Sequence, residues 1–182
     1  MVTASKVESQ GRALLQWRPP LKQKTSFTLG RQRILDLNGN HIHGSIPAAI
    51  SALSKLTTLD LSVNNLRGII PSELGNLTRI SGSIPTSFGK LLNLNLLTIS
   101  KNFLVGSIPP GFGNLTKIKG LYLWSNRLSG SIPNEIGNLV SLNAFDISDN
   151  QITGLIPPSL GSLKKSYRFS DMNWVEPSFP TW

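Results

Sequence analysis

Residues 94–115 read LNLLTISKNFLVGSIPPGFGNL. Apolar Leu97 and Ile99 alternate with Thr98 and Ser100, the period-two pattern of a short strand with one face buried. Asn102 follows, then apolar Leu104, then the turn Gly106-Ser107-Ile108-Pro109 and the stretch PGFGNL. The same order of residue types returns in IKGLYLWSNRLSGSIPNEIGNL (118–139) and in LVSLNAFDISDNQITGLIPPSLGSL (139–163). The template is L-x-x-L-x-L-x-x-N-x-L-x-G-x-I-P-x-x-[LIF]-G-x-L. A fixed period of this size is the signature of a stacked array, in which no unit buries its own apolar face and neighbours supply the core.

Each position has a physical reason. The inward pairs Leu59 with Leu61, Leu97 with Ile99, Leu121 with Leu123 and Phe145 with Ile147 lay successive strands side by side. These strands are expected to be parallel, because each unit travels right around before returning. The regular amides Asn40, Asn64, Asn102, Asn126 and Asn150 fall where the chain leaves the strand. A buried bend strands backbone donors and acceptors, and a short amide offers both, so a ladder of asparagines is expected. Glycine in G-x-I-P permits the sharp turn, the Ile fills the core and the Pro ends ladder pairing. Segments such as SELGNL and NEIGNL are too short for full helices and suit 3₁₀ pieces on the opposite side.

This template resembles the plant-type leucine-rich repeat, and the resemblance covers residues 34–163. It implies a right-handed leucine-rich-repeat solenoid of the α/β superhelix type, with short parallel strands on the concave face and 3₁₀ or loop segments on the convex face. Residues 1–33 then read as a residual N-terminal cap: ESQGRALLQWRPPL is similar to the start of the family's cap, without the paired cysteines that close it. Residues 164–182 read as an irregular, aromatic-rich tail in which the repeat decays, with Phe169 keeping the rhythm of another turn.

The prolines of the G-x-I-P turns are Pro47, Pro71, Pro85, Pro109, Pro133 and Pro157, at intervals of 24, 14, 24, 24 and 24. The unit ending LTRISGSIP is therefore ten residues short, about 33 Å of extended chain. It lacks a counterpart of NLLTISKNFL (95–104). The expectation is that residues 72–85 stay on the convex side as a bulge and that the Asn64 strand meets the Asn102 strand directly. The alternative is a break in the stack with two raw sheet edges.

Composition narrows the function. The chain of 182 residues carries a net charge of +9, but residues 1–33 hold seven basic side chains against one acidic, whereas residues 34–163 hold eight against six. No basic stripe interleaved with aromatics accompanies this, so nucleic acid is not the expected partner. Without cysteine, disulfides, thiol catalysis and Cys-based zinc sites are excluded. The start shows no secretory apolar core, and no apolar run approaches the ~20 residues of a membrane span, so no direct membrane insertion is expected. No nucleophile context or kinase signature occurs; the receptors of similar repeat carry a Ser/Thr kinase domain, absent here, and no cofactor is called for. His41 and His43 lack further ligands for a metal.

Recognition is what remains. The resemblance implies a concave binding face, as in plant receptor-like kinase ectodomains, with a peptide or protein ligand, or another receptor of the family, as partner. Its variable positions are Asp36, Asp60, Thr98, Tyr122 and Asp146, with Asn38, Ser62, Ser100, Trp124 and Ser148 beside them. Tyr122 and Trp124 are the expected anchors, since exposed aromatics favour interfaces; the bland alternative is that they pack on each other and on Lys101. Asn76 and Asn114 head the sequons Asn76-Leu77-Thr78 and Asn114-Leu115-Thr116, glycan acceptors if the chain is secreted. Two other readings stand: a soluble defence protein similar to polygalacturonase inhibitors, and a truncated receptor product without function. By resemblance the location is extracellular or at the plasma membrane.

Overall fold

In a computed structural model of the chain, the described residues are 26–29, 33–67, 82–162 and 166–168. They form a stack of turns, each laying one strand into a seven-stranded main sheet. Its strands are β1 (Ser26–Leu29), β2 (Arg33–Asp36), β4 (Thr58–Asp60), β6 (Leu96–Thr98), β8 (Gly120–Tyr122), β10 (Ala144–Asp146) and β12 (Ser166–Arg168). All pairs are parallel except β1 with β2. Beyond the bend of each turn a smaller ladder forms: β3 (His43–Gly44) pairs with β5 (Asn65–Leu66), and β7 (Val105–Gly106), β9 (Arg127–Gly130) and β11 (Gln151–Ile152) pair in series.

The G-x-I-P proline sets the return side. Pro109 lies in extended backbone (φ −65°, ψ 131°), and a five-residue 3₁₀ helix, Pro110–Asn114, starts directly after it. Its closing bonds are short-range: Phe112 N–H donates to Pro109 O at 3.0 Å and Leu115 N–H to Phe112 O at 2.9 Å. Ala48–Ala52, Thr86–Lys90, Asn134–Asn138 and Pro158–Ser162 repeat the arrangement. Between these helices and the main sheet runs one apolar core that includes Leu35, Leu59, Leu97, Leu121 and Phe145 from the strands and Ile50, Phe88, Phe112 and Ile136 from the helices.

The buried amides organise the bends. Asn102 Nδ2 donates to Leu61 O, Ile99 O and Ser100 O at 3.0–3.1 Å, and its Oδ1 accepts Leu66 N–H of the preceding turn at 3.0 Å. Asn64, Asn126 and Asn150 repeat this linkage between turns. Asn40 keeps its donor bonds to Leu37 O and Asn38 O, but its buried Oδ1 accepts none. It stands at the first bend, and among the described residues no preceding turn offers it an N–H.

At the short interval the main sheet is continuous: Leu59 lies opposite Leu97 and Asp60 opposite Thr98. The return side is continuous as well, since Ser87 Oγ on the helix Thr86–Lys90 donates to Ala48 O and Asn93 Nδ2 to Ser54 O. The turn that begins with β4 is therefore completed by residues 82–94. The Asn64 strand thus meets the Asn102 strand directly, as expected, and the main sheet does not break there; residues 68–81 lie outside the described residues. Within the expected bulge 72–85, Ile84 is buried and Val105 N–H donates to Gly82 O at 3.3 Å, so residues 82–85 belong to the stack. Residues 72–81 lie outside the described residues. Among the described residues the outer ladder is interrupted, β5 and β7 not pairing with each other although Phe103 N–H still reaches Leu66 O at 2.9 Å.

At the far end β12 continues the sheet into the segment read as an irregular tail. Tyr167, not Phe169, stands opposite Phe145, a step of 22 residues where Leu121 to Phe145 is 24. Sequence periodicity, carried forward from the earlier turns, had no means to register the two-residue contraction.

Candidate functional site: the concave face

Three outward positions on each strand build the exposed face of the main sheet. In register, Asp36, Asp60, Thr98, Tyr122 and Asp146 form one column across β2, β4, β6, β8 and β10. The residues expected as variable contacts are thereby brought onto one surface, and all five are half-buried. Ile34, Thr58, Leu96, Gly120 and Ala144 line one side of that column in the same register.

The aspartates are held rigidly. Asp60 Oδ1 accepts Ser62 N–H at 2.9 Å and Ser62 Oγ–H at 2.5 Å, and Asp146 Oδ1 does the same with Ser148 at 3.0 and 2.6 Å. Asp36 Oδ1 accepts Asn38 N–H at 2.9 Å, and the Asn38 amide donates to Ser62 Oγ. Ser148 is thus a brace for its carboxylate. Ser100, beside Thr98 instead of an aspartate, is 2% exposed and its Oγ has no hydrogen-bond partner.

Tyr122 and Trp124 occupy the centre. A Cβ on Gly120 would stand 2.9 Å from Tyr122 Cε2 and 3.0 Å from Leu96 Cδ1. The tyrosine ring therefore leans back over the bare glycine and lies beside Leu96, forming an apolar floor. The ammonium of Lys101 stands 4.9 Å from the centroid of the Trp124 ring, a cation–π contact. The alternative in which Lys101 packs on the aromatic pair is thus realised for Trp124, whereas Tyr122 rests on Gly120 and Leu96.

Lys101 belongs to the rim, where the backbone enters the left-handed region just before each ladder asparagine: Val63 φ 54°, Lys101 52°, Ser125 53°, Asp149 52°. Beyond the ladder, Arg127 stacks over Phe103 at 5.2 Å. Leu96, Gly120, Phe103 and Arg127 had not been singled out from the sequence. The repeat template marks Gly120 only as a variable position, and its value depends on the ring that lies over it.

His41 and His43 are exposed, with His43 Nδ1 3.4 Å from His41 O. Among the described residues no group of three His, Asp or Glu converges on a metal site. Asn114 ends its 3₁₀ helix exposed, with Thr116 also exposed, while Asn76 lies outside the described residues. No described helix is long and apolar enough to cross a membrane.

A Leucine Rich Repeat model matches residues 33–53, 55–77, 93–115, 117–139 and 141–163, together more than half of the chain. The chain belongs to the leucine-rich-repeat family. No curated protein matches it closely. Among solved structures, this leucine-rich-repeat chain is similar to the ectodomain of the receptor kinase SOBIR1 from Arabidopsis thaliana, at 26% identity and TM-score 0.71 over 92% of this chain and 94% of that one. A plant ice-binding protein is 31% identical with TM-score 0.67, over 78% of this chain and 42% of its own. The plant peptide hormone receptor RGFR1, solved with RGF2, is 35% identical with TM-score 0.59, over 78% and 24%. The chain thus spans nearly all of one such ectodomain but less than half of the ice-binding protein and about a quarter of RGFR1. No catalytic family is matched. The second matched repeat runs to residue 77, so its last residues lie outside the described ones.

Proposed function

We propose that this leucine-rich-repeat chain is a non-catalytic recognition module that binds an extended peptide or protein segment on its concave face, in the manner of a plant receptor ectodomain. The observation that carries the reading is the seating of Tyr122 over Gly120 beside Leu96. An aromatic held in one pose on a rigid strand loses little conformational entropy on binding and offers a large apolar area, the character of an interface anchor. Trp124, Lys101, Thr98, Asp146 and Ser148 surround it, and Asp60 and Asp36 extend the surface toward the first turn. Structures of similar fold in complex with a peptide hormone or with another ectodomain give the same direction to the choice of partner. On this reading the module works outside the cell or at the plasma membrane, and Asn114, exposed on the convex ridge, is open to glycosylation there.

The test is panning of a displayed library of random linear nonapeptides against the purified chain. Enriched peptides should bind the native chain and lose at least tenfold in affinity to Tyr122→Ala/Trp124→Ala, with the far-UV circular dichroism of the variant unchanged. Binding indifferent to both substitutions would remove the concave face from consideration.

A further inference from the structure

We infer that the concave face selects an extended peptide carrying a basic residue four positions from an apolar one, the cation seated between Asp36 and Asp60 and the apolar side chain on the Tyr122–Leu96 floor. This rests on the concave-face reading above and adds to it the chemistry of the partner.

The cation end follows from electrostatics. Asp36 and Asp60 stand in register on adjacent parallel strands, about 4.8 Å apart, an arrangement in which like charges repel. Each is oriented through Oδ1 by an N–H of its own turn, and no described cationic side chain pairs with either. At the other end of the column the register differs, because Asp146 stands beside Tyr122 and not beside a second aspartate. The rim also differs along the stack: its left-handed positions are Gly39, Val63, Lys101, Ser125 and Asp149, so the positive charge among them falls on turn three, and Arg127 adds another beyond the ladder of turn four. A cation is therefore drawn toward the first two turns. A guanidinium suits two fixed carboxylates better than an ammonium does, since its planar donors reach both at once.

The spacing follows from strand geometry. From the midpoint between β2 and β4 to β8 is two and a half strand spacings, about 12 Å. Four residues of extended peptide rise about 13 Å, and positions i and i+4 face the same way. Between the two ends lies Ser100, 2% exposed, whose hydroxyl the solenoid leaves without a partner on the same face. Ser100 belongs to the neighbouring column, beside Thr98, and its Oγ and Asn40 Oδ1 are the buried side-chain atoms without a hydrogen-bond partner among the described residues.

The nonapeptide panning separates this inference from the reading beneath it. Peptides that depend on Tyr122 and Trp124 should be enriched in Arg or Lys four positions from Leu, Phe, Trp or Tyr. Enrichment of acidic or uncharged peptides that still require Tyr122 would overturn the inference and leave the concave site standing; peptides indifferent to Tyr122 and Trp124, or none at all, would overturn both. A directed arm uses capped nonapeptides with Arg-Ala-Ala-Ala-Leu at the centre. These should bind at least tenfold more tightly than the same peptide with Glu for Arg. Asp36→Asn/Asp60→Asn, which keeps an acceptor oxygen for Asn38 and Ser62, should abolish the preference without changing the far-UV spectrum. An unchanged preference in that variant would also overturn the inference.

Discussion

Leu66 N–H donates to Asn102 Oδ1 across 36 positions of sequence, whereas Ile42 to Asn64, Leu104 to Asn126 and Leu128 to Asn150 make the same bond across 22. The return side shows an equal excess: Ser87 reaches Ala48 across 39 positions, and the equivalent Ser159 reaches Asn134 across 25. Both faces thus count fourteen residues too many, and both place them between Arg67 and Gly82.

Deletion of residues 68–81, joining Arg67 to Gly82, should accordingly leave a folded array. The junction reads NNLRGSIPTSFG, which restores the 24-residue period. Loop closure varies slowly with length, so stability should change by no more than about 1 kcal/mol. Thermal unfolding followed by circular dichroism checks it; loss of cooperative unfolding would show that the segment is needed by the stack.

The asparagine ladder should be unequal. Asn102→Ala removes three donated bonds and strands Leu66 N–H in the interior, so a loss of about 2–4 kcal/mol is expected. Asn40→Ala deletes two donated bonds together with an oxygen that accepts none, and should lose only about 1 kcal/mol. Urea denaturation of the two variants measures the difference, and equal losses would contradict the ladder as described.

Val63 is β-branched, lies at φ 54° and is 46% exposed. The left-handed region is unfavourable for such a side chain, while Asn tolerates it. Val63→Asn should therefore stabilise the chain by roughly 0.5–1 kcal/mol, seen as a higher melting temperature.

Gly120→Val would force the Tyr122 ring from its seat, since the added Cβ alone meets Cε2 at 2.9 Å. The obstruction is side chain, not backbone, so the strand should persist. Near-UV circular dichroism should change while the far-UV spectrum does not, and peptide affinity should fall about as far as in Tyr122→Ala. Retained affinity would separate the pose of the ring from recognition.

The legible part of this protein was the part written in short-range chemistry. Alternation at Leu97 and Ile99, an amide after each strand and proline before each 3₁₀ segment repeat because every turn meets the same neighbours, so local pattern sufficed for the solenoid, the parallel sheet and the column from Asp36 to Asp146. The same logic failed where a neighbour differs. Spacing located the short interval and the direct pairing of the Asn64 and Asn102 strands, but which helix packs against Ala48–Ala52 is a contact across the stack that spacing alone does not encode. The register of β12 is likewise chosen by pairing with β10, not by counting from it. Gly120 is the sharpest case. By itself it reads as a weak strand former, and only the tertiary structure lays Tyr122 across it beside Leu96 from another turn, because a missing Cβ acquires meaning from the atoms that fill its space.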